Sequence, residues 1–549
     1  MHIVLAEPDG QTMAQQLPVP MRCATAPFLF VAAVTAVAAT ADPWQLRDPP
    51  IAAHASRSLD TADGQQWTAS PASTTASGVD GLTINASVPG DLITDLEDAG
   101  LVGDPWFETN WRNATLWDQP WRFSTQFTLS EEEAALLLAS TDAAAAAEAM
   151  LIFEGIKMGA TVTLDGKSLG TATDQWLRYT WPVKLGAGPH ELTVSFDRSI
   201  DTHGRYMGCS GGWDWAPMST TVTPERSPTF SYGIWKSVYL VFVSSTSIAH
   251  VAPRVFTESG FSTTDFHFTV ETAVHFDTPG DTAVKGTLKV EGEWGATTSE
   301  TVTLQPGPST AVLNVSATSA QVKLWWPVRM GEQNLYNISV QFAPEGGEGS
   351  SSSSSAPPPI SASRRIGFRD FKVITAAPGD DEEANGSGNY TMRYQVNGQA
   401  VFSRGANVVP MEELEGRASA LALRTMLESA AEGGMNTLRI WGGGLFFYGA
   451  FYEAADELGL MILHDLMFIE QGHGPCCPFY GAHSGWSNAG HAYNVSCECV
   501  GEAAATQHAE LQHQMRRLAP HPSIVIWDAC NGMPAESLCF ACLCVIDLL

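Results

Sequence analysis

The sequence predicts a multidomain chain, β-rich over its first two-thirds and α/β over its last third. Three observations carry this expectation. Short alternating apolar runs, broken by Gly, Asp and Asn, dominate up to residue 374. From Val396 onward, strand-length apolar runs alternate with stretches that are apolar at helical spacing. At 549 residues the chain exceeds a single domain and accommodates about three.

Residues 1–41 read as a leader. Arg22 precedes the apolar run Pro27–Val37, and Ala39-Thr40-Ala41 supplies small residues for cleavage before Asp42. The run is short for a spanning helix, and the pattern places the start at Met21. Seven Asn-x-Ser/Thr sequons, at Asn85, Asn113, Asn314, Asn337, Asn385, Asn389 and Asn494, agree with passage through a secretory pathway. The expected destination is secretion or a lysosome or vacuole, with no membrane partner after cleavage.

Residues 42–243 form the first β block. Trp121–Leu129, Ala160–Leu164 and Glu191–Phe196 alternate as strands do, and Asp165-Gly166 marks a turn between two of them. Ser130–Met150, with a Glu triplet and an Ala-rich tract, interrupts the pattern and reads as a surface insertion. Residues 244–374 form a second block, with alternation in Phe266–Val270, Val284–Val290 and Glu300–Leu304. Its length and strand spacing suit an immunoglobulin-like sandwich. Gly346–Ser355 and the prolines after it are a low-complexity loop.

Residues 375–531 change period. Val401–Val409, Thr437–Trp441, Leu460–Leu466 and Ser523–Trp527 read as strands. Leu421–Ala430, the stripe Phe447, Phe451, Ala455, Leu458, and the stripe Leu511, Met515, Leu518 read as helices. That alternation means β/α units on a parallel sheet; four strands are visible where a closed β/α barrel has eight.

The net charge of −30 argues against nucleic acid and anionic membrane surfaces, both of which reward Lys and Arg. Cys476, Cys477, Cys497 and Cys499 bracket one loop near His473, His483 and His491. Cys-Cys and Cys-x-Cys lack the two-residue ligand spacing of zinc sites, so disulfides are favoured and no metal is expected.

Short motifs sharpen the reading. In order they are Val88-Pro89-Gly90-Asp91-Leu92, Asp104-Pro105-Trp106, Asn110-Trp111, Gly211-Gly212-Trp213-Asp214-Trp215-Ala216-Pro217, Gly233-Ile234-Trp235, Leu324-Trp325-Trp326-Pro327 and Ile366-Gly367-Phe368-Arg369. Then come Gly405-Ala406-Asn407, Asn436–Gly444 and His521-Pro522-Ser523 leading to Asn531. Each is weak alone. In this order they resemble glycoside hydrolase family 2, in particular its β-mannosidase branch. The resemblance implies a jelly-roll-like, sugar-binding-like sandwich over 42–243, an immunoglobulin-like sandwich over 244–374 and the first half of a (β/α)8 TIM barrel over 375–531. It implies retaining removal of terminal non-reducing β-D-mannose from oligosaccharides or glycoproteins, with a β-mannoside or N-glycan fragment as partner and no cofactor. Neighbouring activities are exo-β-glucosaminidase and endo-β-mannosidase; a carbohydrate-binding remnant without catalysis is the non-enzymatic alternative. The oligomeric state is not legible.

Most motif residues have a structural reading as well. Trp235, Trp325 and Trp326 suit core or domain-interface packing, Val-Pro-Gly a turn, and Arg369 an ion pair. Asp214 differs, because an acid between two tryptophans offers a sugar two apolar faces and an acceptor for its hydroxyls. By resemblance, Asp214 contacts the non-reducing mannose, Trp441 lines the subsite of the reacting sugar, Arg439 supports a carboxylate nucleophile and Asn531 binds the 2-hydroxyl. Asp465, beside His464, belongs to the same rim. Arg439, Trp441, Asp465 and Asn531 all fall at strand C-terminal ends, where β/α barrels keep their chemistry.

Retaining glycosidases need two carboxylates about 5–5.5 Å apart. The residue after Asn531, which the resemblance makes the acid/base Glu, is Gly532, and the nucleophile's strand lies beyond Leu549, so this chain is expected to be inactive as written. Residues 532–549 resemble nothing in the family and hold three of the ten cysteines. A Glu codon split after its first base by a splice donor would read through as Gly, so this tail reads as translated intron. Sequencing the mature transcript across the Asn531 codon is expected to find a form that continues with Glu into a second half-barrel. Transcripts that all encode Gly532 and the tail would refute this.

Overall fold

The computed structural model describes residues 46, 48–72, 81–108, 110, 116–138, 148–197, 199–202, 205–207, 231–257, 261–345, 357–374, 392–467 and 501–528. The leader, the loop bearing Asp214, the cysteine-rich loop, Asn531, Gly532 and the tail lie outside them.

Alternation sets the first layer. Trp121–Leu129 buries every second residue and is central to a six-stranded antiparallel sheet with Ile84–Ala86, Trp67–Pro71, Gly188–Phe196, Ala160–Leu164 and Lys167–Ala172. A four-stranded sheet of Ala55–Ser58, Val238–Val243, Glu148–Phe153 and Tyr179–Val183 covers it. Trp67, Trp121 and Phe123 meet Leu151, Phe153 and Leu240 in one core. Asp165 and Gly166 take positive φ at the expected turn, as a tight hairpin requires. The Ser130–Met150 stretch holds the helix Glu131–Leu138, and its last residues, from Glu148, already belong to a strand. Ser130 and Glu133 cap that helix reciprocally, the Glu133 N–H donating to Ser130 Oγ and the Ser130 N–H to Glu133 Oε2.

A second sandwich follows. Ser247–Thr257, His267–Thr278 and Gly307–Thr318 face Thr297–Leu304, Val284–Gly292, Tyr336–Pro344 and Ile360–Ile366 across a core that includes Val270, Phe276, Val290 and Phe342. Three sequon asparagines lie among the described residues, and Asn85, Asn314 and Asn337 are all exposed. Phe371–Ile374 pairs with Arg393–Val396, which pairs in turn with Gln399–Val401.

The last third is a parallel sheet, whose strands and helices are numbered here from its start: β1 Gly405–Val408, α1 Ala420–Glu432, β2 Thr437–Ile440, α2 Gly449–Leu458, β3 Met461–Asp465, α3 Gly501–Leu518 and β4 Ile524–Asp528. The order is β1-β2-β3-β4, all parallel. Val408, Leu438, Ile440 and Ile462 face the helices, packing on Leu423, Leu427, Phe451, Leu511 and Met515. One expectation fails here: Val401–Val409 is not one strand. The chain leaves the antiparallel sheet at Val401, exposes Phe402, and enters the parallel sheet at Gly405, where the Thr437 carbonyl presses so close that no side chain fits. Among the described residues no helix is long and apolar enough to cross a membrane.

Buried charges join these parts. Arg205 donates to Glu510 of α3 at 2.8 and 2.6 Å and to the Met467 carbonyl at 2.8 Å, with its guanidinium over the Trp176 ring. Arg517 and Lys236 share Asp48, each at 2.7 Å. Lys157 pairs with Glu415 in the loop after β1 at 2.7 Å. Arg369 is the other correction: it makes no ion pair among the described residues but donates to the Pro522 and Ile524 carbonyls at 2.5 and 2.6 Å, fixing the start of β4. Trp235 and Trp325 are buried, donating to the Gln175 and Asp456 carbonyls.

Arg205→Ala would strand Glu510 in the interior beside Asp174, whose carboxyl burial and Glu510 already push well above the usual range. Denaturant unfolding is expected to show a loss of about 3–5 kcal/mol, the usual cost of breaking a buried pair from one side. A loss below about 1 kcal/mol would show that the pair behaves like a surface one.

Candidate active site

Parallel pairing places equivalent strand ends side by side, and here it gathers polar groups at one edge. Asn407 stands opposite Arg439, and Asp465 opposite Asp528. The sheet face carrying Arg439, Leu463 and Ile526 is only partly covered, in contrast to the helix-facing side. Strand alternation therefore points these four polar side chains away from the helices, at the C-terminal edge.

Arg439 and Asp465 form the centre. Arg439 Nε and Nη2 donate to Asp465 Oδ1 and Oδ2 at 3.0 and 2.5 Å, a two-pronged geometry that fixes both planes. The Gly442 N–H adds a third bond to Oδ2 at 3.0 Å. Asp465 is fully buried whereas Arg439 is partly open. Burial pushes the Asp465 carboxyl up to about 6; Arg439 pulls the other way and the Asp528 charge adds to the rise. The pair is thus ionised at neutral pH. Arg439 Nη1 also approaches Asn407 Oδ1 at 3.4 Å.

Trp441 follows β2 and is half-buried. Its backbone N–H donates to the Val408 carbonyl at 3.2 Å, and its ring lies where a side chain on Gly443 would have to be. Gly443 is therefore what leaves room for the indole. An indole, a carboxylate, a guanidinium and an amide at neighbouring strand ends are an arrangement suited to a polyhydroxylated ligand.

His464 takes no part. It points to the helix side, where Tyr452 Oη lies 2.8 Å from its Nε2 and the Asp465 carbonyl 2.7 Å from its Nδ1, and it packs against Trp527. Burial pushes its pKa down to about 3, so it is a neutral core residue. The adjacent His and Asp are not an acid/base pair, because they face opposite sides of the sheet. Among the described residues no group of three or more His, Cys, Asp or Glu could hold a metal ion.

Of the sequence-predicted residues, Arg439, Trp441 and Asp465 come together at this edge; Asp214 and Asn531 lie outside the described residues. Asn407 and Asp528 were not singled out as site residues. The usable signal was position: each ends a strand in the period-two phase of its neighbours' polar residue.

Comparison with known proteins bears on this arrangement. Residues 65–236 match the glycosyl hydrolase 2 galactose-binding domain-like description, and residues 248–369 match glycosyl hydrolases family 2. The β-mannosidase of Rattus norvegicus is 25% identical over 83% of this chain and 48% of its own length. That of Bos taurus is 26% identical over the same shares. The chain spans about half the length of these curated relatives. Among solved structures, the β-D-mannosidase of Dictyoglomus thermophilum superposes with TM-score 0.62 at 23% identity, over 87% of this chain and 52% of that one. The exo-chitosanase of Amycolatopsis orientalis gives TM-score 0.60 at 18% identity, over 90% and 51%.

Asp465 makes stability depend on pH in a defined direction. Its folded pKa of about 6 lies above its ordinary 3.8, so the folded state holds the proton more tightly. Its contribution is full below pH 3.8 and is lost as pH rises through about 6. The stability of the unaltered chain relative to Asp465→Asn is expected to fall by on the order of 2 kcal/mol across that window. A flat difference in denaturant melts from about pH 4 to pH 7 would contradict the shift.

Proposed function

Because the chain belongs to glycoside hydrolase family 2, within its β-mannosidase branch, we propose that it is the N-terminal half of a secretory-pathway exo-β-mannosidase that removes terminal β-linked mannose with retention. The observation that carries this is the alignment of Asn407, Arg439, Trp441, Asp465 and Asp528 at the C-terminal edge of a parallel sheet, where β/α barrels bind substrate. The four strands are then the first half of an eight-stranded barrel, and their open face is its interior. The sandwich at 244–374 is immunoglobulin-like, and the one at 42–243 is the jelly-roll-like, sugar-binding-like module.

In this reading Asp214 contacts the non-reducing mannose. Support comes from the described residues that precede it in sequence: Arg205 is bonded to the Met467 carbonyl, two residues past Asp465. Trp441 stacks on the reacting sugar, Arg439 holds the nucleophile carboxylate ionised and Asn531 binds the 2-hydroxyl. The acid/base belongs at position 532, where Glu would donate its proton to the leaving oxygen and then deprotonate water. Gly532 has no proton to give. That residue favours the second reading for the chain as written, a carbohydrate-binding remnant.

A product with Glu at 532 and a completed barrel is expected to hydrolyse p-nitrophenyl β-D-mannoside in preference to the β-glucosaminide. Asp214→Ala should lower its kcat/KM by about a hundredfold. The Gly532 chain should release no nitrophenol. Preference for the glucosaminide would move the assignment to another activity of the family.

A further inference from the structure

The two sandwiches and α3 line a half-open cavity of about 520 Å³ that shares no lining residue with the strand-end cluster. Its wall is basic, although the chain carries a net charge of −30. Arg178 reaches it from the first sandwich, His250 and His275 from the second, and His513 and Arg516 from α3. Arg364, from the second sandwich, adds a further positive field acting on His250.

Several of these groups lack a counterpart. Arg178 is satisfied by Glu154 at 2.8 Å and the Ala249 carbonyl at 2.9 Å. Arg516 has no ion pair or hydrogen bond among the described residues; its interaction there is repulsion of His275. His513 is buried, with Nδ1 3.3 Å from His250 Nε2, while its own Nε2 and the Ser309 hydroxyl find no partner among the described residues. Where His250 Nε2 is the donor to His513 Nδ1, neutral His513 carries its proton on Nε2, and protonated His513 presents an Nε2 donor in either arrangement. The acid on the wall, Asp277, is held toward its neutral form by burial. Unsatisfied buried donors and an unpaired guanidinium around one space are costly unless a ligand answers them.

We propose that this cavity binds a tetrahedral oxyanion, phosphate or sulfate, either free or as a sugar ester, with Arg516 and His275 supplying charge and His513 Nε2 and Ser309 Oγ supplying hydrogen bonds. Burial and the surrounding cations hold the three histidines neutral, His275 down to about 3 and the other two well below their usual range. A bound anion reverses that field, so binding takes up protons and tightens as pH falls. The ligand would also tie both sandwiches to α3.

The test is calorimetric titration of the whole chain with inorganic phosphate, sulfate and a hexose 6-phosphate, using chloride as control, at about pH 5.5 and 7.5. Saturable oxyanion binding that is about tenfold tighter at the lower pH is expected. Arg516→Gln should weaken it about tenfold or more, the loss of one charge-assisted hydrogen bond, with the anion-free melting temperature unchanged. Ser309→Ala provides a second, uncharged variant with the same direction. Tighter binding of the hexose phosphate assigns the ester; equal or weaker binding assigns the free ion. Absence of saturable binding by all three, or binding indifferent to both substitutions, overturns the proposal.

Discussion

The last described helix, α3, is held by charges that cannot leave the interior. Arg205 grips Glu510, and Arg517 with Lys236 grips Asp48, all nearly inaccessible. Such pairs add little net stability over apolar packing, because desolvation offsets their attraction. Their consequence is specificity. A shift of α3 by one turn would leave several buried charges unpaired, so the helix has one position against the first sandwich. That position then fixes β3 and β4, between whose ends the helix runs, and with them the strand-end cluster.

The start of β4 shows the same logic, with charged side chains holding backbone groups. Asp456 of α2 accepts from His521 Nδ1 at 2.6 Å and from the Ser523 N–H at 3.0 Å. Arg369 takes two carbonyls of the same segment, and Gly367 lies against Pro522. The Ile366-Gly367-Phe368-Arg369 and His521-Pro522-Ser523 motifs are therefore two halves of one contact between the second sandwich and the parallel sheet. They set the register of β4, and so where Asp528 stands relative to Asp465.

Local patterns made much of this legible. Trp121–Leu129 is readable because one face is buried and the other is not, and β2, β3 and β4 because apolar runs of that length between helical stripes have few alternatives. The break after Val401 was not legible, since apolar content continues through it while hydrogen bonding changes from antiparallel to parallel. The Ser130 and Glu133 cap could have been found from spacing alone. The pairing of Arg205 with Glu510 could not, because nothing local ties residues 305 positions apart. A motif pointed to Arg439 and Trp441, and strand-end position to Asp465. Asn407 and Asp528 needed the strand register.

The raised pKa of Asp465 invites a catalytic reading, and the geometry argues against one. A general acid must present its proton to the leaving oxygen, which requires an unoccupied carboxyl oxygen facing the ligand. Both oxygens of Asp465 are taken, by the Arg439 fork and the Gly442 N–H, and the side chain is fully buried. Protonating it would break the pair that orients Arg439. Its elevated pKa is thus the cost of burying an anion to hold a cation in place, and the guanidinium is left partly open at the strand ends. Perturbation here marks a buried ion pair without marking an acid.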